Sequence, residues 1–139
     1  MMQIIFLKNA ADTERCAAML AKKITPPATI FLEGELGSGK TTFAKGFLAG
    51  LGYHGNVKSP TYTLLETYEI NGILVLHADL YRIADPNELV AMGFRDYFHS
   101  NTIALIEWAS RALDMLPKQH TQCRLTIPQN GVGRVLEMG

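Results

Sequence analysis

Short apolar runs of strand length alternate along the chain with segments whose apolar residues recur at helical spacing. A first helix is predicted over Ala11 to Lys23. Asn9 precedes it as a cap, Asp12 lies in its first turn, and Thr13, Cys16, Leu20 and Ile24 fall at helical spacing. Pro26 and Pro27 end it. The run Ala28 to Leu32 has the size of a buried strand. After a glycine-rich stretch, Phe43, Phe47, Leu48 and Leu51 mark one face of a second helix that stops near Gly50 and Gly52.

Further along, "TLLETYEI" and "ILVLHADL" flank Asn71-Gly72. Two strand-like runs joined by Asn-Gly predict a hairpin, because both turn positions need positive φ. "DPNELVAMG" predicts a short helix with Asp85 as cap, Pro86 at the first position and Gly93 at the end. "TIALIEW" is another run of strand length. "TQCRLTI" alternates apolar and polar residues, "PQNGVG" supplies a turn, and "RVLEMG" returns as a strand. Strands mixed with helices predict an α/β class: a single domain over residues 1–139, with a mixed, mostly parallel sheet flanked by helices and hairpin elements.

Composition narrows the reading. In 139 residues, 47% are apolar and 19% charged, which is ordinary for a globular chain. That length leaves little for a separate substrate domain or a long lid. Thirteen Lys and Arg balance thirteen Asp and Glu, so the net charge is zero. A basic face for unaided nucleic-acid binding is not expected. Cys16 and Cys123 lack metal-type spacing and read as free thiols of a reducing compartment. The start "MMQIIFLKNA" has no basic region before its apolar run, and no apolar run approaches bilayer length. The expectation is a soluble, cytoplasmic protein with no membrane partner.

The chemistry begins at "GELGSGKTT". Gly34, Gly39, Lys40 and Thr41 satisfy G-x-x-x-x-G-K-[ST]. Glycines let successive backbone N–H groups turn inward on phosphate oxygens, and the next helix presents its positive end to the same anion. Lys40 reaches the β- and γ-phosphates, and the Thr41 hydroxyl can hold Mg²⁺. The expected nucleotide contacts are Gly37, Ser38, Gly39, Lys40, Thr41 and Thr42. An apolar strand before the loop and an amphipathic helix after it supply the context the motif requires.

Two acids end apolar runs: Asp79 after "ILVLHA" and Glu107 after "TIALI". Ligands of α/β sheets collect at such strand ends. A carboxylate there can hold Mg²⁺ directly, hold it through water, or orient an attacking water. The sequence leaves the two roles undivided. His77 shares a strand face with Asp79, so a metal site on that pair is a weaker alternative. "VKSPTYT" supplies Ser59, Thr61, Tyr62 and Thr63 beside a stiffening Pro60. It suits a segment that folds over a γ-phosphate, or else a plain polar turn.

"GELGSGKTTFAKG", "NVKSPTYTLLETY", "HADLYRIADPNEL", "MGFRDYF" and "LIEW" occur in that order from about Leu7 to Val135. Together they resemble the TsaE (older name YjeE) family, ATPases of bacterial tRNA threonylcarbamoyladenosine biosynthesis. The resemblance implies a compact P-loop fold without a lid domain, binding ATP with Mg²⁺. It implies that Thr41 and Glu107 ligate the metal, that Asp79 supports hydrolysis, and that Thr61 belongs to the segment facing the γ-phosphate. Lys40, Asp79, Thr61 and Glu107 are thus the candidate catalytic residues, and Trp108 matches the family tryptophan. The implied partners are TsaD and TsaB, which modify adenosine 37 of tRNAs reading codons that begin with A. The ATPase would reset them between turnovers and meet tRNA only indirectly. One departure stands out: many members follow "IEW" with Pro and an acid, where this chain has Ala109 and Ser110. Arg134 is a further residue able to touch the nucleotide. The rival classes are a small-molecule kinase, a GTP switch and a nucleotide-bound scaffold without turnover. Against the first, the arginines are scattered. Against the second, no N/T-K-x-D segment is present.

Overall fold

Asn9 starts the first helix as predicted: its side-chain oxygen accepts the Asp12 N–H at 2.9 Å. In this computed structural model, which describes residues 2–139, that helix is α1, Ala10–Lys23. The other elements in chain order are β1 Gln3–Leu7 before it, then β2 Ala28–Glu33, α2 Lys40–Gly50, β3 Leu65–Ile70, β4 Ile73–Asp79, α3 Asn87–Ala91, β5 Thr102–Glu107, β6 Thr121–Thr126 and β7 Arg134–Met138. Short 3₁₀ turns at Phe94–Tyr97, Ala109–Arg111 and Leu113–Met115 fill the stretch around β5. The seven strands form one mixed sheet in the order β1-β7-β6-β2-β5-β4-β3, and the predicted α/β class holds. Among the described residues, no helix is long and apolar enough to cross a membrane. Residues cluster into two compact units. One holds residues 2–24, Leu32–Lys58 and Thr121–Gly139; the other holds Thr25–Phe31 and Ser59–His120.

In the first unit, α1 lies against α2. The stripe predicted for α1 needs correction. Thr13, Ala17 and Ala21 are its buried residues, while Cys16, Leu20 and Ile24 are only half-buried. The reason is close backbone approach. A Cβ on Gly46 would stand 2.5 Å from the Glu14 Cα, and one on Gly50 would stand 2.7 Å from the Ala18 Cα. Only small residues fit such a seam, so hydrophobic size misleads here. Helix α2 also buries Phe43, Phe47 and Leu48 fully. Both cysteines are free thiols, and burial pushes Cys123 up to about 12, so it acts as core. Strand β1, not expected from the sequence, runs antiparallel to β7, with Ile5 opposite Leu136.

The second unit contains the predicted hairpin. Ile70 pairs with Ile73 across Asn71 and Gly72, whose φ angles are 50° and 82°. Those positive values at both central positions are what Asn-Gly permits. Strand β4 then runs parallel to β5, which is buried along its whole length. Leu76, Ala78, Ala104 and Ile106 of these strands pack with Leu89 and Phe94 in one apolar cluster. Just before the short helix Asp85 accepts the Asn87 N–H at 2.9 Å, while Glu88 accepts the N–H groups of Ala84 and Asp85. Pro86 falls at the cap position, one earlier than predicted.

Gly46 offers a test in which two effects oppose each other. Helix propensity alone would make Gly46→Ala stabilising by about 1 kcal/mol. Overpacking against the α1 backbone should cost about 3 kcal/mol, so urea unfolding should show a net loss of about 2 kcal/mol. A neutral or stabilising result would contradict the close seam.

Candidate functional site

The glycine loop joins β2 to α2. Gly37 and Gly39 have φ of 84° and 103°, in the left-handed region that suits glycine. A Cβ at either would meet nothing within 4 Å, so the space beyond them is open to a ligand. Gly34 is constrained differently: a Cβ there would collide with Ser38 Oγ and stand 2.8 Å from the Leu125 carbonyl. Ser38 closes a turn by donating its N–H to the Glu35 carbonyl at 3.0 Å. Its hydroxyl is buried with no hydrogen-bond partner. The first intrahelical bond of α2 runs from Phe43 N–H to the Gly39 carbonyl at 2.8 Å. Lys40, Thr41 and Thr42 therefore begin a helix whose first amides lack helical acceptors and favour an anion. Lys40 Nζ donates to the Gly34 carbonyl at 2.6 Å, folding back across the loop. Arg134 Nη2 donates to the Gly37 carbonyl at 2.9 Å, so this arginine of β7 touches the loop itself.

The acids occupy the predicted strand ends, and both are buried: Asp79 is 7% and Glu107 is 4% exposed. Parallel register makes them direct partners, which places two carboxylates side by side on one face. Asp79 accepts the Tyr81 N–H at 3.0 Å and the Thr61 hydroxyl at 3.5 Å. Glu107 Oε2 lies 2.7 Å from His77 Nε2, with both groups buried. A carboxylate accepts, so the imidazole Nε2–H donates. The other ring nitrogen of His77, Nδ1, is buried without a hydrogen-bond partner. Among the described residues, no three His, Cys, Asp or Glu group to hold a metal. Two carboxylates fit the usual way Mg²⁺ is held, by one or two acids together with substrate phosphates.

The hydroxyl-rich loop is anchored at the end of β4. Leu64, at φ 73°, donates its N–H to Pro60 and accepts the Asp79 N–H on its carbonyl, both at 2.9 Å. Ser59 Oγ and Thr61 Oγ1 lie 2.8 Å apart. Tyr62 is largely exposed, with the Arg82 guanidinium 4.7 Å above its ring. Trp108 stands at φ 56°, with its ring 4.7 Å from that of Tyr81, and Arg111 lies 5.2 Å from the Tyr81 ring. Sequence reasoning missed the His77–Glu107 bond. The signal for it was a histidine in an otherwise apolar run, but its partner is thirty positions away.

A strand, a loop with two left-handed glycines, and a helix opening on Lys-Thr define a P-loop protein of the α/β class. Within that class the chain belongs to the TsaE family, whose model, described as threonylcarbamoyl adenosine biosynthesis protein TsaE, matches residues 7–135. It is 51% identical over 106 residues to the tRNA threonylcarbamoyladenosine biosynthesis protein TsaE of Haemophilus influenzae, covering 76% of this chain and 67% of that one. It is 39% identical over 114 residues to the Bacillus subtilis protein of the same name, covering 82% and 71%. A crystal structure of Bacillus subtilis YdiB matches 99% of this chain and 84% of that one, with a TM-score of 0.83 at 29% identity.

Ser38 gives a simple check on the loop. Its hydroxyl is buried and unpartnered, so Ser38→Ala removes a buried polar group without breaking a bond. Thermal unfolding should show unchanged or raised stability. A loss above about 1 kcal/mol would mean that the hydroxyl makes a bond after all.

Proposed function

We propose that this protein is a Mg²⁺-dependent ATPase of the cytoplasm that works with TsaD and TsaB in forming threonylcarbamoyladenosine at position 37 of tRNAs reading codons that begin with A. Its hydrolysis cycle resets that complex between turnovers. The observation that carries the reading is two buried carboxylates in register at neighbouring strand ends, in a chain of the TsaE family that also carries an intact phosphate-loop sequence.

Each residue has a task in this reading. The loop amides and the start of α2 hold the phosphates. Lys40 leaves the Gly34 carbonyl for the β- and γ-phosphates. Thr41 and Glu107 would hold the metal, which would supply charge neutralisation at the phosphate oxygens. Asp79, fixed by the Tyr81 N–H, orients the attacking water. Thr61, tied to Asp79, faces the γ-phosphate. The zero net charge favours protein partners over direct tRNA contact.

Two measurements test this. Lys40→Ala should weaken ATP binding by about tenfold or more in calorimetry, a change of about 1.4 kcal/mol. Unchanged affinity would remove the phosphate role of the loop. Adding TsaD and TsaB should raise ATP turnover. Turnover that is already high and indifferent to them would favour a kinase or a free-standing ATPase.

A further inference from the structure

We propose that His77 is a positioning residue that fixes the orientation of the Glu107 carboxylate for metal binding. This rests on the reading of Glu107 as a metal ligand. Strand β4 is buried and otherwise apolar around this position, with Val75, Leu76 and Ala78 at 0% exposure. A histidine at 0% exposure in such a run needs a reason. Its own hydrogen bonding does not supply one, because Nδ1 is buried with no partner. The ring sits there at a cost and makes one hydrogen bond, the 2.7 Å contact to Glu107 Oε2.

The register explains why position 77 reaches position 107. His77 lies opposite Leu105 and Asp79 lies opposite Glu107. His77 and Glu107 are therefore diagonal neighbours on one face, within reach of long side chains. Glutamate has three side-chain torsions, and a carboxylate at a strand end can turn in several directions. A bond from a ring that is itself immobilised in the core selects one of them. This is the role that partners of metal-binding carboxylates have in general, and losing such a partner typically weakens metal affinity 10- to 100-fold.

The test compares His77→Gln, His77→Asn and His77→Leu with Glu107→Gln. Glutamine places a donor near the Nε2 position, asparagine falls short of it, and leucine removes it. Two affinities are measured by titration: a fluorescent ADP analogue in EDTA, and Mg²⁺ for the protein saturated with that analogue. His77→Leu and His77→Asn should weaken Mg²⁺ by about tenfold or more, leaving metal-free nucleotide binding within about twofold. His77→Gln should restore Mg²⁺ affinity to within about threefold. A purely structural histidine would lower both affinities together, with no rescue by glutamine. If His77→Leu does not fold, the glutamine–asparagine contrast carries the same decision. Wild-type Mg²⁺ affinity in His77→Asn alongside a defect in Glu107→Gln overturns the role of His77 and leaves the metal assignment standing. Wild-type Mg²⁺ affinity in Glu107→Gln overturns both.

Discussion

Two carboxylates side by side in a protein interior are the constraint on which the second unit depends. Removing an ionised acid from water costs several kcal/mol unless hydrogen bonds replace the solvent. Register in parallel strands puts Asp79 beside Glu107, so donors for two desolvated carboxylates have to be found at one place. The surrounding structure answers locally. The turn after β4 donates Tyr81 N–H, the loop before β3 donates Thr61 Oγ1, and β4 itself contributes His77. These donors come from the chain on both sides of the hairpin and from β4 within it. The segment from Ser59 to Tyr81 is thus organised around two acids.

The first unit meets a different demand, that of backbone shape. Gly37 and Gly39 hold left-handed conformations with open space beyond them, and Gly34 has no room for a Cβ. A loop of this form has little side-chain packing to hold it. Its support comes from the turn at Ser38, from Lys40 folded onto the Gly34 carbonyl, and from Arg134 on the Gly37 carbonyl. Behind it, α2 is pressed so closely to α1 that glycine at positions 46 and 50 becomes a packing requirement. The small-residue seam fixes the helix, and the helix fixes where the first amides of the loop's anion-facing end point.

Much of this was legible in the sequence because it is local. Asn9 and Asp12 mark a cap, Asn71-Gly72 selects one turn type, and the phosphate motif declares itself by spacing. The acidic strand ends followed from apolar runs that stop at a carboxylate. What the sequence hid is non-local or depends on shape. Strand β1 is short, with Ile4 and Phe6 largely exposed, and gains its identity only by pairing with β7 far along the chain. The buried stripe of α1 is small because a neighbouring backbone approaches, and hydrophobic size cannot report that. The His77–Glu107 bond needs the β4–β5 register, which no single run contains. Family membership supplied what no run contains either, the connection from phosphate loop to tRNA modification.

If ATP hydrolysis by this chain resets the tRNA-modifying complex, as proposed, repeated modification needs a hydrolysable nucleotide. The most direct measurement counts modified tRNAs per TsaD–TsaB complex, with the threonylcarbamoyl donor in excess and this protein added with either ATP or a non-hydrolysable analogue. Repeated rounds are expected with ATP, and a halt after the first round with the analogue. Equal numbers of rounds with the two nucleotides would contradict it.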